Sequence, residues 1–132
     1  MNANSLNGAV LAYLGDSYYE HQIRVYLINK GITNTNKLHQ TATNYTSGSN
    51  QALIMSYLIK ENLLSEEELA IYKRGRNISH PGRKNLKMVE YHEATGFEAL
   101  IGYLALKDYK RGNHIIDLAI KHIEENNGKR KS

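Results

Sequence analysis

The run "LAYLGDSYYEHQIRVYL", residues 11–27, decides the fold class. Leu11, Leu14, Tyr18 and Val25 recur at helical spacing and predict one amphipathic helix. Its middle holds Gly15 and Asp16. Glycine costs about 1 kcal/mol against alanine inside a helix, and aspartate is a poor interior residue. A chain that needed only a helix has better choices at both positions. On a helical wheel centred on Leu14, Asp16 falls opposite the stripe, with Ala9, Ala12 and Glu20 on its side. "EATGFEALIGYLAL", residues 93–106, repeats the design: Phe97, Leu100, Ile101 and Leu104 make the stripe. Glu98 lies opposite, beside Thr95 and Gly102.

Working outward, capping residues and period predict an all-α domain of six to seven helices. The first covers about 5–29, with Gly31 just past its end. The second covers about 35–43. A third starts near Ser49 and carries Leu53, Ile54, Tyr57 and Leu58. The fourth opens on a Ser65–Glu68 capping box and ends near Arg74. The fifth covers about 89–106 and the sixth about 110–125, leaving 126–132 as a frayed tail. With 132 residues, the expectation is one domain over 1–132 and no second one. The chain is 41% hydrophobic and 23% charged, ordinary for a globular protein. It has no cysteine, which excludes disulfides and thiolate metal sites. Neither a membrane-length apolar run nor a signal-peptide pattern is present, so a cytoplasmic location is expected.

The longest stretch without period is "KRGRNISHPGRKNLK", residues 73–87, read as a loop. It holds six basic residues (Lys73, Arg74, Arg76, Arg83, Lys84 and Lys87) and no acid. Those six leave 11 of the chain's 17 basic residues to face 13 acidic ones, so the net charge of +4 is local. Clustered Lys and Arg are the footprint of nucleic-acid binding. Gly75 lets backbone approach a ligand, and arginine offers paired donors to phosphate. A basic solvated linker fits the same residues.

Two carboxylates presented from small-residue faces need a reason, because like charges repel. A hard cation such as Mg²⁺ supplies one and leaves room for phosphate oxygens. Beside a basic groove, that combination means phosphodiester hydrolysis. Solvated charges on amphipathic helices fit the pattern too. So does a helix break, with Gly15 past a helix end and Asp16 or Ser17 as a cap.

"LAYLGDSYYE" and "ATGFEALIGYLAL" resemble the two signature segments of the ribonuclease III catalytic domain. With "LNGAVLAYLGD", "LHQ", "SNQA", "KRGRN" and "FEALIGYL", the resemblance is closest to the Mini-III subgroup, which lacks a double-stranded-RNA-binding domain. It covers nearly the whole chain. It implies a Mg²⁺-dependent endoribonuclease, with Mn²⁺ as a possible substitute, that cleaves double-stranded RNA in the cytoplasm. Asp16 and Glu98 would be catalytic and hold the metal, water would attack phosphorus and the 3′-oxygen would leave. Lys73, Arg74, Arg76, Asn77, Arg83 and Lys84 would bind RNA. The subgroup further implies a two-fold homodimer acting on 23S ribosomal RNA precursor, assisted by a large-subunit ribosomal protein. The classical acids before Asp16 and Glu98 are replaced here by Ala9, Ala12 and Thr95, a thinning the subgroup shares.

Those replacements also support an alternative, a catalytically weakened dimeric RNA-binding module. A small Mg²⁺-dependent hydrolase of nucleotides is a third reading, disfavoured by the basic segment. The six histidines show no zinc spacing. Tyr18, Tyr57 and Tyr103 sit at core spacing, so they read as packing residues rather than base-stacking ones. Glu20 reads as an i,i+4 partner of Arg24.

Overall fold

In the computed structural model, residues 2–78 and 85–131 are described, with side chains through residue 127. A 3-10 turn, Ala3–Ser5, leads into six α-helices. They are α1 (Gly8–Asn29), α2 (Thr35–Thr46), α3 (Gly48–Lys60), α4 (Glu66–Arg76), α5 (Leu86–Lys107) and α6 (Tyr109–Lys131). No strand occurs among the described residues.

Side-chain caps set the helix starts. Asn7, Asn34, Ser47 and Asn85 each accept a bond from the backbone N–H three residues on. Such a cap stabilises a helix by about 1 kcal/mol. The Asn7 cap moves the first helix later than expected, and the Asn85 cap starts the fifth a turn earlier. Ser65 and Glu68 form the expected capping box. Gly31, at a φ of 95°, lies just past α1 in the left-handed region that glycine tolerates.

Helix α5 is the centre. Phe97, Leu100, Ile101 and Leu104 are buried as expected, but so are Ala94, Gly96, Ala99, Gly102 and Tyr103. A helix apolar on all sides belongs inside, and α5 packs against α1, α3, α4 and α6. The expected stripe of α1 is displaced. Its buried side is Leu11, Ala12, Gly15, Tyr19, Ile23 and Leu27. Leu14 and Tyr18 are only half-buried and Val25 is exposed. Glycine carries no apolar weight in a pattern, so the wheel misses that Gly15 faces the core. Tyr19 crosses the Phe97 ring edge-on at 5.1 Å.

The basic segment is helical at its start. α4 runs through Lys73, Arg74 and Arg76, and Asn77 caps it. Cations in a last turn complement the helix dipole, so the start of the run that read as a loop carries the helix two residues past the end expected near Arg74.

Candidate active site

The contact between α1 and α5 is backbone against backbone. A Cβ on Gly15 would lie 1.7 Å from the carbonyl oxygen of Glu98, and one on Gly102 would lie 1.9 Å from that of Leu11. Only glycine at both positions permits this approach. It brings Asp16, the next residue along α1, close enough to Glu98 for the two carboxyl groups to interact. Gly15 therefore allows the close approach, and Asp16 uses it. Asp16 is exposed and Glu98 is half-buried.

Burial pushes the Glu98 carboxyl up to about 8; neighbouring Asp16 adds to the rise, and Gln51 opposes it. Two carboxylates this close keep a proton between them at neutral pH unless another positive charge replaces it. A divalent cation is that charge, and an oxygen donor set suits a hard one. The residues present thus fit the metal that the sequence implied. Among the described residues, no cluster of three or more His, Asp or Glu side chains offers a richer site.

None of the three replaced acid positions, Ala9, Ala12 and Thr95, has become a new donor. Ala12 is buried, and the Thr95 hydroxyl turns back to donate to the Tyr91 carbonyl oxygen at 2.8 Å. A hollow opens beside Asp16, lined by Ser17, Glu20, His21, Arg24 and Thr46. Within it Arg24 pairs with Glu20 at 3.0 Å, the i,i+4 pair expected from the sequence.

The basic residues differ in what they hold. Arg74 donates through Nη1 to the carbonyl oxygens of Asn4 and Leu6, both at 3.1 Å, and so ties α4 to the chain's start. The Arg76 guanidinium lies 5.3 Å from the centre of the Tyr72 ring, and its Nε donates to Asn77 Oδ1 at 3.1 Å. Lys73 is exposed. Arg83 and Lys84 lie outside the described residues. The end of α4 meets the start of α1, where a Cβ on Gly8 would sit 2.6 Å from the Arg74 carbonyl oxygen. Asp16 is eight residues further along α1, about 12 Å by helical rise.

Sequence reasoning missed Gln51. It sits in the buried row of α3 with Ile54, Met55 and Leu58. A lone polar residue at core spacing was the available signal.

The ribonuclease III domain family matches residues 9–109 of this chain. The chain belongs to that family. The Mini-ribonuclease 3 of Acholeplasma laidlawii is 51% identical over 120 residues, covering 91% of this chain and 96% of that protein. The Mini-ribonuclease 3 of Enterococcus faecalis is 47% identical over 126 residues, covering 94% and 96%. A crystal structure of a Fusobacterium nucleatum protein matches with a TM-score of 0.76 at 35% identity, over 89% of this chain and 94% of that one. This ribonuclease III domain is an endoribonuclease for double-stranded RNA, of a family that works with metal ions. No helix among the described residues is long and apolar enough to cross a membrane.

Proposed function

We propose that Asp16 and Glu98 hold Mg²⁺, or Mn²⁺ in its place, and are the catalytic pair of this endoribonuclease. The observation that carries the reading is the close backbone approach of α1 and α5 at Gly15, which sets the two carboxyl groups near each other. The bound cation supplies positive charge where negative charge grows on the phosphate. The chain's own part is to hold two carboxylates on rigid helices, with Asp16 at the rim of an open hollow. Lys73, Arg76 and Asn77, at the end of α4, contact phosphates of a duplex lying along α1, and Arg83 and Lys84 extend that grip. Arg74 shapes the same surface by holding residues 4 and 6.

The working unit is a two-fold homodimer in the cytoplasm. Val10 and Tyr13 on α1 and Leu86 and Val89 on α5 are exposed apolar side chains that pairing of two copies through these helices would bury. Tyr13 is 84% exposed. The substrate is 23S ribosomal RNA precursor, presented with a large-subunit ribosomal protein. That assignment rests on the likeness to Mini-ribonuclease 3 proteins.

Incubation with long duplex RNA tests the site. Cleavage requires Mg²⁺ or Mn²⁺ and stops with chelator. Asp16→Asn and Glu98→Gln keep the fold and lose activity by at least about a thousandfold, several kcal/mol of barrier. Cleavage by either variant at the wild-type rate refutes the assignment.

A further inference from the structure

Arg24 is the only Lys or Arg in α1. Asp16, Glu20 and Arg24 follow at steps of four and form one row along the helix. Arg24 donates to Glu20 Oε1 through Nη2 at 3.0 Å and through Nε at 3.3 Å. Both bonds end on a single carboxylate oxygen, so the pair is not the fork-to-fork match that a guanidinium makes with two oxygens. The Arg24 side chain keeps 61% of its surface exposed. An exposed i,i+4 pair of this kind adds little to stability.

The surroundings of that pair are built for more. The hollow beside Asp16, of about 560 Å³, adjoins a second of about 320 Å³, and Glu20 and Arg24 line both. Helix α2 walls them: Thr46 stands in the Asp16 hollow, and Thr35 and His39 in the one that reaches Ile28. Together they make a trough along α1, with Arg24 where the two halves join. Lys73, Arg76 and the end of α4 lie towards the start of α1, about 12 Å by helical rise from Asp16. Arg24 lies about 12 Å beyond Asp16 in the opposite direction. A strand that crosses Asp16 along α1 therefore meets cations before it and after it.

We propose that Arg24 is a phosphate-binding residue of the RNA track: it turns its guanidinium from Glu20 to a backbone phosphate of the strand, on the far side of Asp16 from α4. The role rests on the reading of α1 as the helix along which the duplex lies. A phosphate offers the two oxygens that the guanidinium fork lacks in its bond to Glu20. Held at both ends, the strand cannot slide past the carboxylates between them.

The test is binding of a long RNA duplex to the full chain at a series of salt concentrations, with chelator present so that nothing is cut. Arg24→Ala is expected to weaken binding about tenfold. It flattens the log–log salt slope by about 0.9 for each protomer on the duplex, and the melting temperature holds. Arg24→Lys keeps the slope, because charge rather than the fork releases counterions. Glu20→Gln tightens binding about twofold, the worth of an exposed i,i+4 pair, and loses that gain when combined with Arg24→Ala. With Mg²⁺ present, Arg24→Ala raises KM and leaves kcat near wild type, since the residue grips phosphate away from the reacting atoms. A wild-type slope in Arg24→Ala, beside a flattened one in Lys73→Ala, Arg76→Ala, overturns the role of Arg24 alone. Wild-type slopes in both overturn the reading of α1 as the RNA track and this inference with it. A Glu20→Gln gain that survives the Arg24→Ala change also overturns the proposal, because the acid would then only repel RNA.

Discussion

Glu68 is buried, charged and shared between two helices. Its carboxylate accepts the Ser65 backbone N–H at 2.9 Å in the capping box of α4. It also meets the Arg111 guanidinium of α6 through Nε at 2.8 Å and Nη2 at 2.9 Å. Burial alone would raise its pKa, but the Arg111 and Ser65 bonds hold it below the ordinary carboxylate value. The folded chain therefore releases this proton more readily than the unfolded chain. The pair's contribution is present above the unfolded value of 4.5 and is lost as pH falls through the lower folded one. Replacing Arg111 by Met strands a buried carboxylate, at a cost of about 3 kcal/mol at pH 7. In urea unfolding, the gap to wild type should narrow on acidification towards pH 4, where the stranded Glu68 takes up a proton. A gap independent of pH would mean that Arg111 acts by packing. The sequence announced only half of this residue: "SEEE" names the capping box, while the partner 43 positions away is invisible to local pattern. Asp16 was conspicuous for the opposite reason, since Gly15 and Asp16 weaken their own helix, and Glu98 stood out by lying opposite its apolar stripe. Gln51 spoils nothing locally and was passed over.

Between elements, the contact of α1 with α5 sets the site, and backbone rather than side chains makes it. Gly15→Ala would put a methyl 1.7 Å from the Glu98 carbonyl oxygen, so the helices must part. The expected loss is about 3 kcal/mol, at the upper end for overpacking. Mn²⁺ affinity should fall as well, because Asp16 and Glu98 move with their helices. Gly48→Ala is the control. A Cβ there meets nothing within 4 Å, and the change should stay within about 0.5 kcal/mol of wild type by denaturant titration. Equal losses from the two substitutions would mean that glycine propensity, not close approach, is measured. Helix number and order could be read from caps and period. The facing of α1 could not, because the residue nearest α5 has no side chain to declare it. The end of α4 falls two residues later than expected for a related reason. Lys73, Arg74 and Arg76 look like a loop's charges, yet Gly75 packs against Thr95, Gly96 and Ala99 of α5 and carries the helix on.

At the scale of the whole molecule, the excess positive charge and the proposed two-fold assembly meet in one measurable quantity. Each phosphate contact releases counterion, so log affinity falls against log salt by roughly 0.9 per contact for duplex DNA, the nearest calibrated case. Lys73 and Arg76 stand at the end of α4 with no tertiary ion pair among the described contacts, whereas Arg74 is spent on the carbonyl oxygens of Asn4 and Leu6. A Lys73→Ala, Arg76→Ala double variant should therefore flatten the salt slope of duplex-RNA binding while the melting temperature holds. If a dimer lays both copies of α4 on one duplex, four contacts vanish and the slope changes by about 3.6 units. A protomer acting alone loses two, and the change is about 1.8. Arg74→Ala should do the reverse, lowering the melting temperature and leaving the slope near wild type. Binding is best measured with chelator present, so that the duplex docks without being cut. A slope unmoved by the double variant would take the RNA off this face of the molecule. A change near 1.8 would keep the RNA there but end the paired-site geometry, because only one copy of α4 would then reach each duplex.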